Sequence, residues 1–417
     1  MMPPRFRMEK SPQERSFGNL DAHHPPSAGL ERVETDETWR RAAFPACRGR
    51  VFLAHAAVAP VPQVAVEAMD AFNATSSTGE LDYGEVFLKR MDRVRGSAAR
   101  LFGSAPEEIA LLGPTSLGLS LVANGLDWRP GDEVVTYLDD YPANVYPWKQ
   151  LERLGVRIVY LRPRAIGEIT PELVHDAITP RTRLLALASC HFLSGYRLDV
   201  AAVGAAAREA GVLFCLDAIQ TAGAFPTPAS EVDFLSADSH KWMLGPSAAG
   251  VVYVAKERQE LLRPSLYGAW NVASPNFIAR DEIRFEPGAR RYEPGVLNAS
   301  GLLGMEASID LLTGVGIKRI AARLLELKTH LCGGLDRLGL QIVGPREGGA
   351  ASGITSCTDS QRPAHVGELY AALGKAGITT SFRHDREGRP HLRFSPHFYN
   401  THAEIERTLR VLAEAGA

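Results

Sequence analysis

From about residue 50 to residue 255 the chain repeats one pattern: a short apolar, β-prone run, a polar turn, then a stretch with helical spacing. Strands are predicted at 51–54, 109–112, 132–137, 157–161, 182–188, 212–216, 232–235 and 249–254. Helices are predicted between them at 63–72, 87–102, 117–125, 171–178 and 200–210, with a further helix running through Leu154. Such alternation dictates a mostly parallel sheet, because parallel neighbours require crossovers and the crossover helices cover both faces. A ligand of such a sheet sits beyond the carboxyl ends of its strands.

After about residue 299 the pattern changes to long helices at 301–312 and 317–338, short strands, and a closing amphipathic helix at 403–415. Near the end, 378–382 and 392–395 are predicted as strands. The fold class expected is therefore α/β, a large domain with a mostly parallel sheet flanked by helices, plus a smaller α+β C-terminal domain. We expect residues 1–48 to form an extension and short helix joining the small domain, 49–298 the large domain and 299–417 the small one. The first 35 residues or so are rich in Pro, Arg, Glu and His without periodicity and are expected to be loose or draped over another subunit; His23 and His24 are expected to be solvated.

Several chemically capable residues fall at predicted strand ends: Thr115, Ser116, Tyr141, Ser189, His191, Asp217, Gln220 and Lys241. Lys241 lies in VDFLSADSHKWMLGPSAAGVVYV, a polar turn between two apolar runs. Partial burial there would disfavour the ammonium and free the amine to attack a carbonyl; a lysine in such a turn is otherwise an ordinary solvated residue. Thr115 and Ser116 follow Gly113 and Pro114 at a helix start, where they serve either as N-caps or as part of a phosphate site.

Other chemistries lose support. A formal charge of -2 offers no basic surface for nucleic acid. The longest apolar runs, such as 184–188, are far short of the ~20 residues that span a bilayer. No secretory signal is recognisable at the N-terminus, so a cytoplasmic location is expected. The five cysteines, Cys47, Cys190, Cys215, Cys332 and Cys357, show neither C-x-x-C spacing nor adjacent metal-spaced histidines, so no metal site is expected. Neither G-x-G-x-x-G nor a Walker lysine is present.

A cofactor carrying an aldehyde, a pyridine nitrogen and a phosphate would use these residues for distinct reasons. Lys241 would form the Schiff base and move a proton at the substrate α-carbon; Asp217 would pair with the protonated ring nitrogen. Thr115 and Ser116 would take the phosphate, and Tyr141 could stack on the ring.

The segments VLFCLDAIQ (212–220), ADSHKW (237–242), GPTSLGL (113–119) and RFSPHFYNT (393–401) resemble the class V aminotransferase family of pyridoxal phosphate enzymes, fold type I, over roughly residues 40–415. The resemblance implies a homodimer with active sites at the subunit interface, pyridoxal 5′-phosphate as cofactor and an amino-acid substrate. It implies Lys241 as the Schiff-base lysine, Asp217 as partner of the ring nitrogen and Gln220 as a contact to the phenolic oxygen. It further implies Tyr141 as the stacking ring, with Thr115, Ser116 and His240 at phosphate positions. Arg393 falls where the family holds the substrate α-carboxylate, although by pattern alone it is an exposed strand arginine. His55 lies where the first loop approaches substrate, and it either contacts substrate or caps the turn.

Departures from the family pattern narrow the chemistry. Desulfurases carry a nucleophilic cysteine shortly before the arginine, and GITTSFRHDREGRPHL has none; Cys357 lies too far upstream. Asp238 replaces a phosphate-contacting serine, Val296 a partner-subunit threonine, and Phe192 an asparagine near the ring. The segment HFLSGYRLD is closer to the isopenicillin N epimerase-like, kynureninase and cysteine-conjugate lyase side of the family. The activity expected is β-elimination from a sulfur-substituted cysteine by a C–S lyase. Alternatives are amino-group transfer or decarboxylating deamination on a larger amino acid, epimerisation, and a non-catalytic pyridoxal-binding protein.

Overall fold

A computed structural model describes residues 29–79, 84–274 and 278–417. Residues 1–28, most of the expected extension with His23 and His24, lie outside the described residues.

The first strand departs from expectation. β1 (Val51–Phe52) does not join the central sheet; it pairs in parallel with Ile378–Thr379, more than three hundred residues later. The central sheet comprises β2 (Ile109–Leu112), β3 (Glu133–Thr136), β4 (Arg157–Tyr160), β5 (Thr182–Ala188), β6 (Leu213–Asp217), β7 (Phe234–Asp238) and β8 (Gly250–Val254). Its order is β2-β8-β7-β6-β5-β3-β4; β8 pairs antiparallel with β2 and β7, and every other pair is parallel. Every residue of β6, β7 and β8 is buried, as strands covered on both faces require.

One covering helix, Thr115–Gly125, lies very close to the sheet. A Cβ on Gly118 would stand 2.3 Å from Ser236 Oγ and 2.6 Å from Val252 Cγ2, so glycine sets how near this helix start comes to β7. Between β3 and β4 the single helix expected through Leu154 is broken into a turn at Pro142–Asn144, a short helix at Tyr146–Lys149 and a tighter turn at Gln150–Leu154. Pro142 and Pro147 lack the N–H that a continuous helix would use.

The C-terminal part contains β9 (Gln341–Val343), β10 (Thr355–Thr358), β11 (Ile378–Thr379), β12 (Ser381–His384) and β13 (Pro390–Phe394). The single strand expected at 378–382 divides at Thr380: β11 pairs with β1, while β12 enters an antiparallel sheet ordered β12-β13-β10-β9. Helices Ile317–Arg337, His365–Lys375 and His402–Glu414 cover it through a core that includes Leu331, Leu369, Phe394 and Leu409. The last helix starts with a capping box: Glu404 N–H donates to Thr401 Oγ1 at 3.2 Å, and Thr401 N–H donates to Glu404 Oε2 at 3.1 Å.

Helix Ala299–Val315 packs on helices Gln63–Ser77 and Glu85–Phe102. Two buried ion pairs fasten this layer, Arg90 with Glu306 and Arg95 with Glu293. Among the described residues no helix is long and apolar enough to cross a membrane.

Candidate active site

The carboxyl ends of the central strands converge on a cavity of about 300 Å³, at the lower end of the roughly 300–1,000 Å³ range of small-molecule pockets. The large sheet contributes Thr115, Ser116, Tyr141, Phe192, Asp217, Gln220, His240 and Lys241; the small sheet contributes Arg383 and Arg393 across from them. Of the nine residues given a site role from the sequence, His55 alone is not among the lining residues; Ser189 and His191, also expected at strand ends, lie outside the lining too.

Lys241 is 6% exposed, and its Nζ stands 5.1 Å above the Tyr141 ring. Among the described residues it makes no side-chain hydrogen bond or ion pair. Burial pulls its ammonium below the ordinary lysine range; Asp217 opposes that shift, and Arg393 and Arg383 reinforce it. Asp217 ends β6 and accepts the Ile219 N–H at 3.1 Å. Burial pushes this carboxyl up, Asp140 adds to the push and Lys241 works against it. The loop after Lys241 is strained: Leu244 (φ 56°) and Ala248 (φ 59°) occupy the left-handed region, at about 1–2 kcal/mol each.

Neither Thr115 nor Ser116 is the N-cap of its helix. That position belongs to Pro114, which has no capping side chain, so the helix start faces the cavity without a cap. Thr115 Oγ1 accepts the Asp238 N–H at 2.9 Å, whereas Ser116 is exposed. Asp238 is not a lining residue: its carboxylate accepts the backbone N–H groups of Ser239 at 2.7 Å and Ala248 at 3.3 Å, inside the turn. His240 Nδ1 lies 3.0 Å from the same carboxylate. An acid at this position is therefore occupied by its own loop.

Gln220 is fixed between Ala56 O, to which Nε2 donates at 3.2 Å, and the Trp242 indole, which donates to Oε1 at 2.9 Å. Tyr141 is half-exposed and its ring centroid lies 5.7 Å from that of Phe192. Arg393 is almost fully buried; its guanidinium donates to Phe192 O at 2.6 Å and to Ser381 Oγ at 3.3 Å, while Nε has no partner. Burial and then Arg383 press against its charge.

His55 is fully buried, with Nδ1 2.9 Å from Ser395 O and Nε2 2.6 Å from the Tyr399 hydroxyl. It ties the first loop to the segment after β13, and the next residues, Ala56 to Val58, form the cavity wall instead.

Two residues of the site carried no sequence signal strong enough to single them out. Asp140, buried, accepts the Tyr141 N–H at 2.7 Å and the Asn144 amide at 3.1 Å, and burial raises its pKa to about 6. It sets the Tyr141 turn and adds negative charge near Asp217. Arg383 comes from β12 and lines the cavity beside Arg393. None of the five cysteines lines the cavity, and all five are buried.

The Aminotransferase class-V family model matches residues 51–408. A probable cysteine desulfurase from Methanothermobacter thermautotrophicus is 27% identical over 398 residues, covering 90% of this chain and 98% of its own. Isopenicillin N epimerase from Streptomyces clavuligerus is 28% identical over 370 residues, covering 84% and 90%. Among solved structures, apo cysteine desulfurase from Thermococcus onnurineus NA1 superposes with a TM-score of 0.84 at 25% identity, covering 91% of this chain and 98% of that one.

Proposed function

The chain belongs to the class-V aminotransferase family, and from that premise we propose that it cleaves the Cβ–S bond of a sulfur-substituted cysteine. Its cofactor is pyridoxal 5′-phosphate. The residues present fit that group: an uncapped helix start with two hydroxyls, a buried carboxylate and a buried amine that have no ion-pair partner among the described residues, and an aromatic ring beside the amine. Thr115, Ser116 and His240 would hold its phosphate, Asp217 its ring nitrogen, Gln220 its phenolic oxygen and Tyr141 its ring face. Bound there, the cofactor supplies an aldehyde for the substrate amine and an electron sink for the α-carbon.

This chain's residues then do the rest. Arg393 takes the substrate carboxylate in a two-bonded fork, which orients the Cα–H bond. Lys241 Nζ, neutral more readily than an exposed lysine because of its burial, withdraws the Cα proton. The Cβ–S electron pair leaves with sulfur, which leaves as a thiol after taking up a proton. Water completes the balance, so one conjugate and one water give a thiol, pyruvate and ammonium. The Phe192, Ala143 and Val58 side chains give the departing group an apolar wall.

The observation that carries this reading is a Lys241, Asp217 and Arg393 constellation around one cavity that no cysteine enters. The similar protein from M. thermautotrophicus is named a probable cysteine desulfurase, which points to cysteine-type substrates. Here sulfur would leave with its substituent, without passing to a cysteine of the protein. A homodimer is part of the proposal: Val58 and Tyr141 at the cavity, and Tyr146 beyond them, expose large apolar surface that a second copy would cover.

Purified holoenzyme given a panel of cysteine S-conjugates is expected to release pyruvate, ammonia and thiol in equal amounts. Lys241→Ala is expected to lose at least about a thousandfold in rate while keeping its circular dichroism. Pyridoxamine phosphate, carbon dioxide, or inverted substrate carrying solvent deuterium would each point to a different outcome at the α-carbon and would overturn the elimination.

A further inference from the structure

We infer that Arg383 is a second anion-binding group of the site, so that the preferred substrate carries an acid on its sulfur substituent as well as its α-carboxylate. The strand register supports this first. β12 and β13 pair with Ser381 opposite Arg393 and Arg383 opposite His391. Residues opposite one another share a face, so Arg383 and Arg393 leave the same side of the small sheet as diagonal neighbours, with roots roughly 7–8 Å apart. Both line the cavity into which Lys241 points.

The charge pattern of the β12–β13 hairpin supports it independently. Arg386 is paired with Asp139, Arg389 with Asp385 at 2.7 Å, and His391 lies 3.1 Å from Asp385. Arg383 makes no hydrogen bond or ion pair among the described residues. Among the described residues Arg393 is held by neutral acceptors only, the Phe192 carbonyl and the Ser381 hydroxyl. Two guanidinium groups thus face one cavity in which Asp217 is the single lining acid among the described residues.

A solvated arginine at a rim would avoid this arrangement. Arg383 is only partly exposed, and its charge opposes those of both Arg393 and Lys241. The like-charge cost is offset when anions occupy both forks, and a guanidinium fork matches a planar carboxylate best. With the α-carboxylate on Arg393 and the amine toward Lys241, the side chain is the part of the substrate left to reach Arg383. The ligand class is therefore a compact α-amino acid whose side chain ends in a carboxylate. On the C–S cleavage reading that carboxylate belongs to the sulfur substituent.

The test compares acids with their uncharged isosteres. Holoenzyme kcat/KM for S-carboxymethylcysteine is expected to exceed that for S-carbamoylmethylcysteine by about ten- to a hundredfold, the range for one charge-assisted contact. In Arg383→Gln, with folding checked by circular dichroism, that ratio is expected to fall below threefold. Calorimetric titration of holoenzyme with glutarate and its monoamide reads the same discrimination without turnover, with the diacid bound at least tenfold tighter in the wild type only. Equal affinity for the two, or a diacid preference that survives Arg383→Gln, overturns the inference. Cleavage of conjugates without acid preference overturns it too and leaves the C–S reading standing. A diacid preference without cleavage supports the inference and removes the C–S reading.

Discussion

Two regions of this molecule bury charge in opposite ways. Where helix Glu85–Phe102 meets the layer beneath it, Arg90 and Arg95 are each matched by a buried glutamate, Glu306 and Glu293, and Glu293 also accepts the Leu111 N–H at 2.7 Å. In the cleft, Lys241 and Arg393 are as enclosed, yet among the described residues neither has an acid in contact. A buried charge that serves the scaffold finds its partner within the chain. One that serves a ligand is left for the ligand, and the fold carries the cost.

The largest effect that would test this contrast is in the scaffold. Glu306→Gln strands Arg90 in the core and is expected to cost about 3–5 kcal/mol in urea denaturation. A loss under 1 kcal/mol would mean that the pair is not what fastens the layer.

A second effect comes from a group buried uncharged beside the cleft. His191 donates Nε2–H to Asp139 O at 3.0 Å and accepts the Ser194 N–H at 3.1 Å, and burial lowers its pKa from 6.5 to about 4. Between those values the unfolded chain holds a proton that the native state refuses. Stability is therefore full above pH 6.5, falls as the pH drops through the window and levels off below about 4, by about 3 kcal/mol in total. His191→Asn is expected to reduce the slope of stability against pH in that window by about one proton, whatever its offset. An unchanged slope would show that His191 is protonated in the native state.

The smallest effect completes the comparison. Arg393→Gln removes a charge that has no acid to lose, so stability is expected to change by less than about 1 kcal/mol. Its kcat/KM for amino-acid substrates is nevertheless expected to fall about a hundredfold or more, chiefly through KM. If this variant unfolded as readily as Glu306→Gln, Arg393 would belong with the scaffold pairs.

Much of the site was legible because its elements are local. A strand that ends in Asp217, a turn that presents Lys241, and a Gly-Pro-Thr-Ser helix start are each specified within about ten residues, and strand ends share one side of a parallel sheet. Seven of the nine residues given a site role line one cavity for that reason, and Arg393 joins them from the small sheet. His55 could not be resolved by sequence, because its partners Ser395 and Tyr399 lie some 340 residues away. The same distance hid the departure of β1 from the central sheet.

What the sequence by itself determined is the alternation of strand and helix, the side of the sheet on which chemistry gathers, and the residue types available there. Periodicity and turn chemistry are properties of neighbours along the chain. Tertiary structure alone decided that Asp238 turns into its own loop, that Asp140 stands behind Tyr141, and that Arg383 shares a face with Arg393. Each of these depends on strand register or on an amide brought from elsewhere. A one-residue slip between β12 and β13 would have turned the Arg383 side chain to the opposite face.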